Sequence, residues 1–171
     1  LVANLLDLSR IQTGAVRPRL EPTSLDEVLQ RALQGVAEDR VADETDDSAP
    51  LLLTDAGLLE RCVANLVENA VRHSPSDRPV RLCAAAVPGQ QLQLRIVDQG
   101  PGVADSDREL MFEPFQRLGD VPAGSGVGLG LAVARGLAEA VGASVEAEET
   151  PGGGLTMVVS VPLAPTSSTE R

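Results

Sequence analysis

Residues 91–98 read Gln-Leu-Gln-Leu-Arg-Ile-Val-Asp, and this strict alternation constrains the fold more than any other stretch of the chain. Successive side chains of a strand point to opposite faces, so Leu92, Leu94 and Ile96 share one face and the polar residues the other. A sheet with one apolar face needs cover on that face alone. Further strands are expected over 79–87, through the turn Pro88-Gly89-Gln90, and near 143–149 and 154–162. Helical spacing supplies the cover. Leu25, Val28, Leu29, Ala32, Leu33 and Val36 follow Ser24-Leu25-Asp26-Glu27, which predicts a capping box and a helix over 24–41. Other helices are expected over 55–72, stopped by Ser74-Pro75, and over 127–142. Residues 51–53 read as a short buried strand and 43–50 as a solvated acidic loop. Residues 99–125 read as a glycine- and proline-rich loop with one short helix around 105–111. This order implies a mixed sheet with helices on one face, an α+β two-layer sandwich.

The first residues differ. Leu1, Leu5, Leu8 and Ile11 fall at helical spacing until Gly14 and Pro18, so 1–14 read as the end of a helix whose partner surface is missing. The start at Leu1, without Met and within an apolar repeat, leads us to expect a piece of a longer protein. Residues 164–171 are polar and expected to be a disordered tail. Cys62 and Cys83, with His73 as the single histidine, cannot build a disulfide framework or a four-ligand zinc site, which fits a reduced, cytoplasmic setting. No run approaches the roughly 18 apolar residues of a membrane span, although a parent protein could carry one. A net charge of −11, with two Phe and neither Tyr nor Trp, lacks both the electrostatic footprint and the stacking platforms of a nucleic-acid binder. No nucleic-acid partner is expected.

Three segments carry chemistry. Asn65, Asn69, Arg72 and His73 lie at i, i+4, i+7 and i+8 of the helix over 55–72, one continuous stripe. Asn is a poor residue inside a helix, and two of them one turn apart before two cation-capable side chains suit a metal ion and phosphate oxygens. A solvated polar face has the same appearance. Next, the alternating strand ends in Asp98-Gln99-Gly100-Pro101-Gly102. A carboxylate at a sheet end could accept a hydrogen bond from a purine amine, and the glycines allow close backbone approach; an ordinary turn reads the same way. Third, Gly124-Ser125-Gly126-Val127-Gly128-Leu129-Gly130-Leu131 opens a helix. Glycines there expose backbone N–H groups to an anion, or make a hinge. No Gly-Lys-Ser/Thr follows, and the glycine spacing does not fit a dinucleotide fingerprint.

In combination and in this order, the three segments resemble the nucleotide-binding boxes of the GHKL superfamily. Within it, residues 24–163 are similar to the ATP-binding catalytic domain of sensor histidine kinases, a Bergerat-type fold. The resemblance implies that Asn65-Leu66-Val67-Glu68-Asn69-Ala70-Val71-Arg72-His73 is the asparagine box. Asn69 would then be the Mg²⁺ ligand, with Asn65, Arg72 and His73 near the ATP phosphates. It further implies that Asp98 accepts from the adenine amino group, with Gly100 and Gly102 as the first glycine box. Phe112-Glu113-Pro114-Phe115-Gln116-Arg117 resembles the phenylalanine box, bringing Phe115 and Arg117 to the nucleotide; without the resemblance, both Phe read as core. Gly126, Gly128 and Gly130 match the second glycine box, and Thr156 a threonine that backs the adenine pocket. RLGDVPAGSGVGLGLAVARGL and EETPGGGLTMVVSVPL look most similar to the potassium- and osmosensing kinases of the Kdp system.

The same resemblance makes 1–14 the end of the second dimerisation helix, with the phosphoacceptor histidine on a helix outside this chain. His73 is not that histidine. The implied partners are ATP, the protein's own dimerisation domain and a cytosolic response regulator. This piece would be monomeric and cytoplasmic, within a homodimeric, membrane-anchored parent. Val127 stands where the family commonly has Thr or Ser, and 116–126 is a short lid, which implies loosely held nucleotide. Gyrase- and chaperone-like ATPases of the superfamily carry a Glu where this chain has Asn65. Anti-sigma-type serine kinases are free-standing, unlike a domain that continues a dimerisation helix. An interaction module that has lost nucleotide binding would have no use for Asn69, Asp98 and the box glycines together.

Overall fold

The computed structural model describes residues 2–118 and 127–166. Its centre is a five-stranded mixed sheet in the order β2-β4-β5-β7-β6. These strands are β2 (Val41–Asp43), β4 (Val80–Val87), β5 (Gln91–Val97), β6 (Ser144–Glu149) and β7 (Leu155–Pro162). Only β2 and β4 run parallel; the other neighbours are antiparallel. The register places Leu92 opposite Val161, Leu94 opposite Val159 and Ile96 opposite Met157, so the alternation continues across the sheet. All six residues are buried. The other face carries ion pairs, Arg81 with Glu44 and Arg95 with Glu148.

Helices cover the apolar face, confirming the two-layer α+β arrangement. α3 (Ala56–His73) buries Leu59, Cys62, Val63, Leu66, Val67 and Ala70. Burial pushes the Cys62 thiol up to about 12, so it behaves as a core residue and not as a nucleophile. α2 (Leu25–Ala32) and α4 (Gly130–Ala140) flank it with Val28, Leu29, Val133 and Leu137. Asp55 caps α3, its Oδ1 accepting from Leu58 N at 3.1 Å. Within the described residues, no helix is long and apolar enough to cross a membrane.

Several local expectations fail for identifiable reasons. The helix expected over 24–41 stops at Ala32, because Gly35 turns the chain at φ +83° and a 3₁₀ turn, Glu38–Arg40, leads into β2. Ser24 makes no side-chain cap; Glu27 pairs forward with Arg31 at 2.7 Å instead of reaching back. The acidic stretch is partly engaged, with Glu44 gripping Arg81 and Asp43 accepting from Thr45 N and Oγ1. Two 3₁₀ turns, Asp105–Asp107 and Leu110–Phe112, replace the single helix around 105–111. β3 (Leu52–Thr54) pairs with a strand the sequence did not announce, β1 (Glu21–Thr23).

α1 (Val2–Gln12) has a partner within the chain. Ile11 lies against Gly136 of α4, where a Cβ would come within 2.8 Å of its side chain. Asp7, only 4% exposed, pairs with Arg61 of α3. Val2, Leu5 and Leu6 on the remaining face are exposed. Ala164 donates to Leu51 O at 2.8 Å, so the tail begins anchored; 167–171 lie outside the described residues.

Candidate nucleotide-binding site

A cleft of about 270 Å³ opens between α3, the loop after β5 and the start of α4. Its most distinctive wall is Asp98, 3% exposed at the end of the alternating strand. Asp98 Oδ1 accepts from Gly100 N and Leu155 N, both at 2.9 Å. Among the described residues, Oδ2 makes no protein hydrogen bond. Asp98 is buried as a residue, yet Oδ2 is not among its sealed atoms, so this oxygen opens on the cleft where a ligand N–H donor can reach it. Apolar side chains complete the cleft, including Val103, Met111, Leu118 and Leu155. Apolar walls around one acceptor suit a flat heteroaromatic ring bearing an amino group.

The polar stripe of α3 faces the same cleft: Asn65, Asn69, Arg72 and His73 all border it, with Glu68 between them. Asn65 is tied down, its Nδ2 donating to Arg61 O at 2.9 Å and its Oδ1 accepting from Asn4 Nδ2 at 3.3 Å. Arg72 is exposed and paired with Glu68 at 2.7 Å. Opposite the stripe, Gly128–Leu131 bring the first turn of α4 to the cleft. Leu129 at its cap position has no side chain that can cap the turn, so among the described residues its N–H groups and the positive end of the helix dipole face the cleft, where an anion could meet them.

The glycines act through close approach. A Cβ at Gly100 would sit 2.5 Å from His73 O, so only glycine lets the loop after β5 pack against the end of α3. At Gly128, φ +73° and a Cβ 2.6 Å from Gln116 O make the same demand, while Gly128 O accepts from Phe115 N at 2.8 Å. Gly102 and Gly130 line the cleft directly, whereas Gly126 lies outside the described residues.

Two expected residues stand elsewhere. Phe115 is 61% exposed, at φ +65°, and does not line the cleft; its neighbours Gln116 and Arg117 do. Phe112 is the core residue of that pair, with the Arg135 guanidinium 3.7 Å above its ring. Thr156 is also displaced. The register that aligns Met157 with Ile96 turns Thr156 to the opposite face of β7, and Leu155 takes the cleft position. Sequence reasoning missed Asn4, Glu68 and Leu155. Period-2 counting back from Met157 would have found Leu155; nothing local in the sequence marks Asn4, which arrives by the docking of α1.

Comparisons with known proteins agree with this geometry. Residues 54–165 match the family described as histidine kinase-, DNA gyrase B- and HSP90-like ATPase. The chain is 44% identical to the sensor protein KdpD of Mycobacterium tuberculosis over 171 aligned positions, 94% of this chain and 19% of that protein. With KdpD of Escherichia coli it shares 37% over 166 positions, 95% of this chain and 18% of the relative. The chain therefore spans about a fifth of the length of these relatives. Among solved structures, full-length ShkA in complex with AMPPNP superposes with a TM-score of 0.82 at 27% identity, covering 99% of this chain and 36% of ShkA. A mycobacterial sensor histidine kinase, MprB, gives 0.74 at 28%, covering 86% of this chain and 100% of that one. With the unpaired carboxylate, the asparagine stripe and the glycine-bounded helix start all on one cleft, the chain belongs to the histidine kinase-, DNA gyrase B- and HSP90-like ATPase family.

Proposed function

We propose that this chain is the ATP-binding catalytic domain of a two-component sensor histidine kinase active in potassium or osmotic sensing. The observation that carries the reading is Asp98, buried, with one carboxylate oxygen used by backbone donors and the other unpaired on an apolar-walled cleft. That oxygen would accept from the adenine amine. The likeness to AMPPNP-bound ShkA and to KdpD proteins supports the same choice. Arg72, His73 and the first turn of α4 would meet the triphosphate.

The donor set fits Mg²⁺. Among the described residues no cluster of three His, Cys, Asp or Glu could hold a metal, and the Asn69 amide borders the cleft beside Asn65, whose amide is already tied to Asn4 and Arg61. A single oxygen ligand suits an ion that keeps its waters and takes its remaining ligands from phosphate. When bound, the ion would neutralise charge on the phosphoryl group in transfer. Asn65 stands where an ATPase would need a base, and an amide cannot take a proton from water. Transfer to an acceptor brought from outside is therefore favoured over hydrolysis. That acceptor would be a histidine of the parent's dimerisation domain, for relay to a response-regulator aspartate. In this reading α1 is the end of that domain, its exposed Val2, Leu5 and Leu6 the face toward it. The parent would be homodimeric and membrane-anchored, this piece its cytoplasmic, monomeric end.

Calorimetric titration with ADP and AMPPNP, with and without Mg²⁺, tests the reading. Binding that Mg²⁺ strengthens and that Asp98→Asn removes is the expected result. A folded sample silent at roughly millimolar nucleotide, a free energy near −4 kcal/mol, rules the reading out.

A further inference from the structure

Behind Asp98, on the face of the sheet away from the helices, Thr156 pairs with a second hydroxyl, Thr150, that the family resemblance does not assign. Thr150 and Thr156 are 7% and 4% exposed, with their Oγ1 atoms 2.9 Å apart. Thr150 Oγ1 also lies 3.2 Å from the backbone oxygen of Asp98. Hydrogen counting fixes the direction of these bonds. A carbonyl oxygen only accepts, so the single Thr150 hydroxyl hydrogen goes to Asp98 O. Thr150 then accepts from Thr156. The relay runs Thr156 to Thr150 to the Asp98 peptide, and neither hydroxyl has a hydrogen left for a ligand.

The surrounding turn presses on the same peptide. Thr150 N donates to Gly154 O at 3.1 Å, and Gly153 N donates to Thr150 O at 2.9 Å. Gly154 passes so close that a Cβ would stand 2.2 Å from Asp98 O. Asp98 N in turn donates to Leu155 O at 2.9 Å. The peptide that carries the unpaired carboxylate is therefore gripped from the β6–β7 turn, where, among the described residues, Thr150 is the one side chain bonded to its carbonyl; on the other side Ser74 Oγ accepts from Gln99 N at 3.4 Å.

We propose that Thr150 is a positioning residue for base selection, acting through Asp98 and touching no ligand itself. This inference rests on the nucleotide-binding reading above. Removing the hydroxyl leaves Asp98 O and the Thr156 hydroxyl buried without partners, and the peptide is free to turn toward another donor. Asp98 Oδ2 then no longer meets an adenine amine in line, and the penalty falls on adenine recognition, not on phosphate contacts.

The test is the ratio of GDP to ADP dissociation constants, measured calorimetrically on the full 171-residue chain with Mg²⁺ for four sequences. Thr150→Val is expected to lower the ratio about tenfold, mostly by weakening ADP. Thr150→Ser restores the hydroxyl and is expected to restore the ratio. Thr156→Val removes only the far end of the relay; it lowers the melting temperature yet leaves the ratio as in the unaltered chain. If Thr150→Val does not fold, Thr150→Ala, read the same way, carries the test. Equal weakening of ADP and GDP, or an unchanged ratio, overturns the proposal while the nucleotide reading stands. Failure of the unaltered chain to bind ADP overturns both.

Discussion

The two ends of the cleft are built on different principles. At the Asp98 end, four hydrogen bonds converge on one buried residue: its N–H, its carbonyl and its Oδ1 are all engaged, three of the bonds with backbone partners and one with Thr150. At the asparagine end, Arg72 and His73 are exposed, and among the described residues Arg72 is held by a neighbour on its own helix, Glu68. A buried acceptor held by backbone discriminates sharply, because a wrong partner leaves it unsatisfied. Exposed cations contribute screened attraction and tolerate varied geometry. On the proposed reading, the cleft is strict about the base and permissive about the phosphates.

The comparison is most severely tested at the β6–β7 turn. Gly154→Ala forces a Cβ into the Asp98 carbonyl at a φ of +113°, and we expect a loss of roughly 4 kcal/mol of stability. That corresponds to about 8–16 °C in thermal denaturation followed by circular dichroism. Gly152→Ala, at φ +89° but with nothing within 4 Å, should cost only about 1 kcal/mol from backbone strain. Similar losses at the two positions would mean that the close approach to Asp98 contributes nothing.

Asn69→Ala addresses the other end. We expect AMPPNP affinity to fall about tenfold in the presence of Mg²⁺, and the difference between titrations with and without Mg²⁺ to vanish. The GDP/ADP ratio should stay where it was. A change in that ratio would show that the two ends are not independent.

How far the sequence revealed this division depends on the kind of interaction. Asp98 was legible because period-2 alternation places it on the apolar face, and the stripe from Asn65 to His73 because 3.6-residue spacing aligns it. Both are local regularities. Thr156 was misplaced by one residue, and a slip of one in a strand moves a side chain through the sheet. The helix over 24–41 was too long because apolar spacing continues through Leu33 and Val36 while Gly35 breaks the backbone. Asn4, Asp7 and Arg61 were illegible for another reason: their meeting is decided by where α1 docks, a contact some 60 residues apart in sequence.

That docked helix supplies a third perturbation. Asp7 is buried, whereas the Arg61 side chain keeps 40% of its surface exposed, so removing the acid leaves a cation that can turn to water. Asp7→Ala should cost about 1–2 kcal/mol, less than the 3–5 kcal/mol typical of an orphaned buried charge. Because Asn4 reaches Asn65 from the same helix, the variant should also weaken AMPPNP binding slightly and leave the GDP/ADP ratio alone.

The smallest effect concerns the turn that carries Met111 to the cleft. Arg135 of α4 donates to Glu109 at 3.0 and 3.3 Å and covers the Phe112 ring, clipping the turn after residue 108 to the helix that begins at the cleft. Hydrogen bonding to Arg135, reinforced by its charge, holds the Glu109 carboxyl below its ordinary range. A carboxyl lowered in the folded state contributes stability above its unfolded value. That contribution is lost as pH falls through the folded value. Glu109 is 85% exposed, so the gain is small and screened. Melting curves of the unaltered chain and Glu109→Gln should differ by no more than about 2 °C at neutral pH and converge as acidification takes the carboxyl through its lowered range. Raising salt to about 1 M, where the Debye length is near 3 Å, should also close the gap. The deficit of Thr150→Val should survive that salt, because a buried hydroxyl bonded to a carbonyl has no counterion to compete with. If both gaps close together, the buried hydroxyl bond and the exposed ion pair are held by the same kind of force, and the contrast drawn between buried and exposed contacts fails.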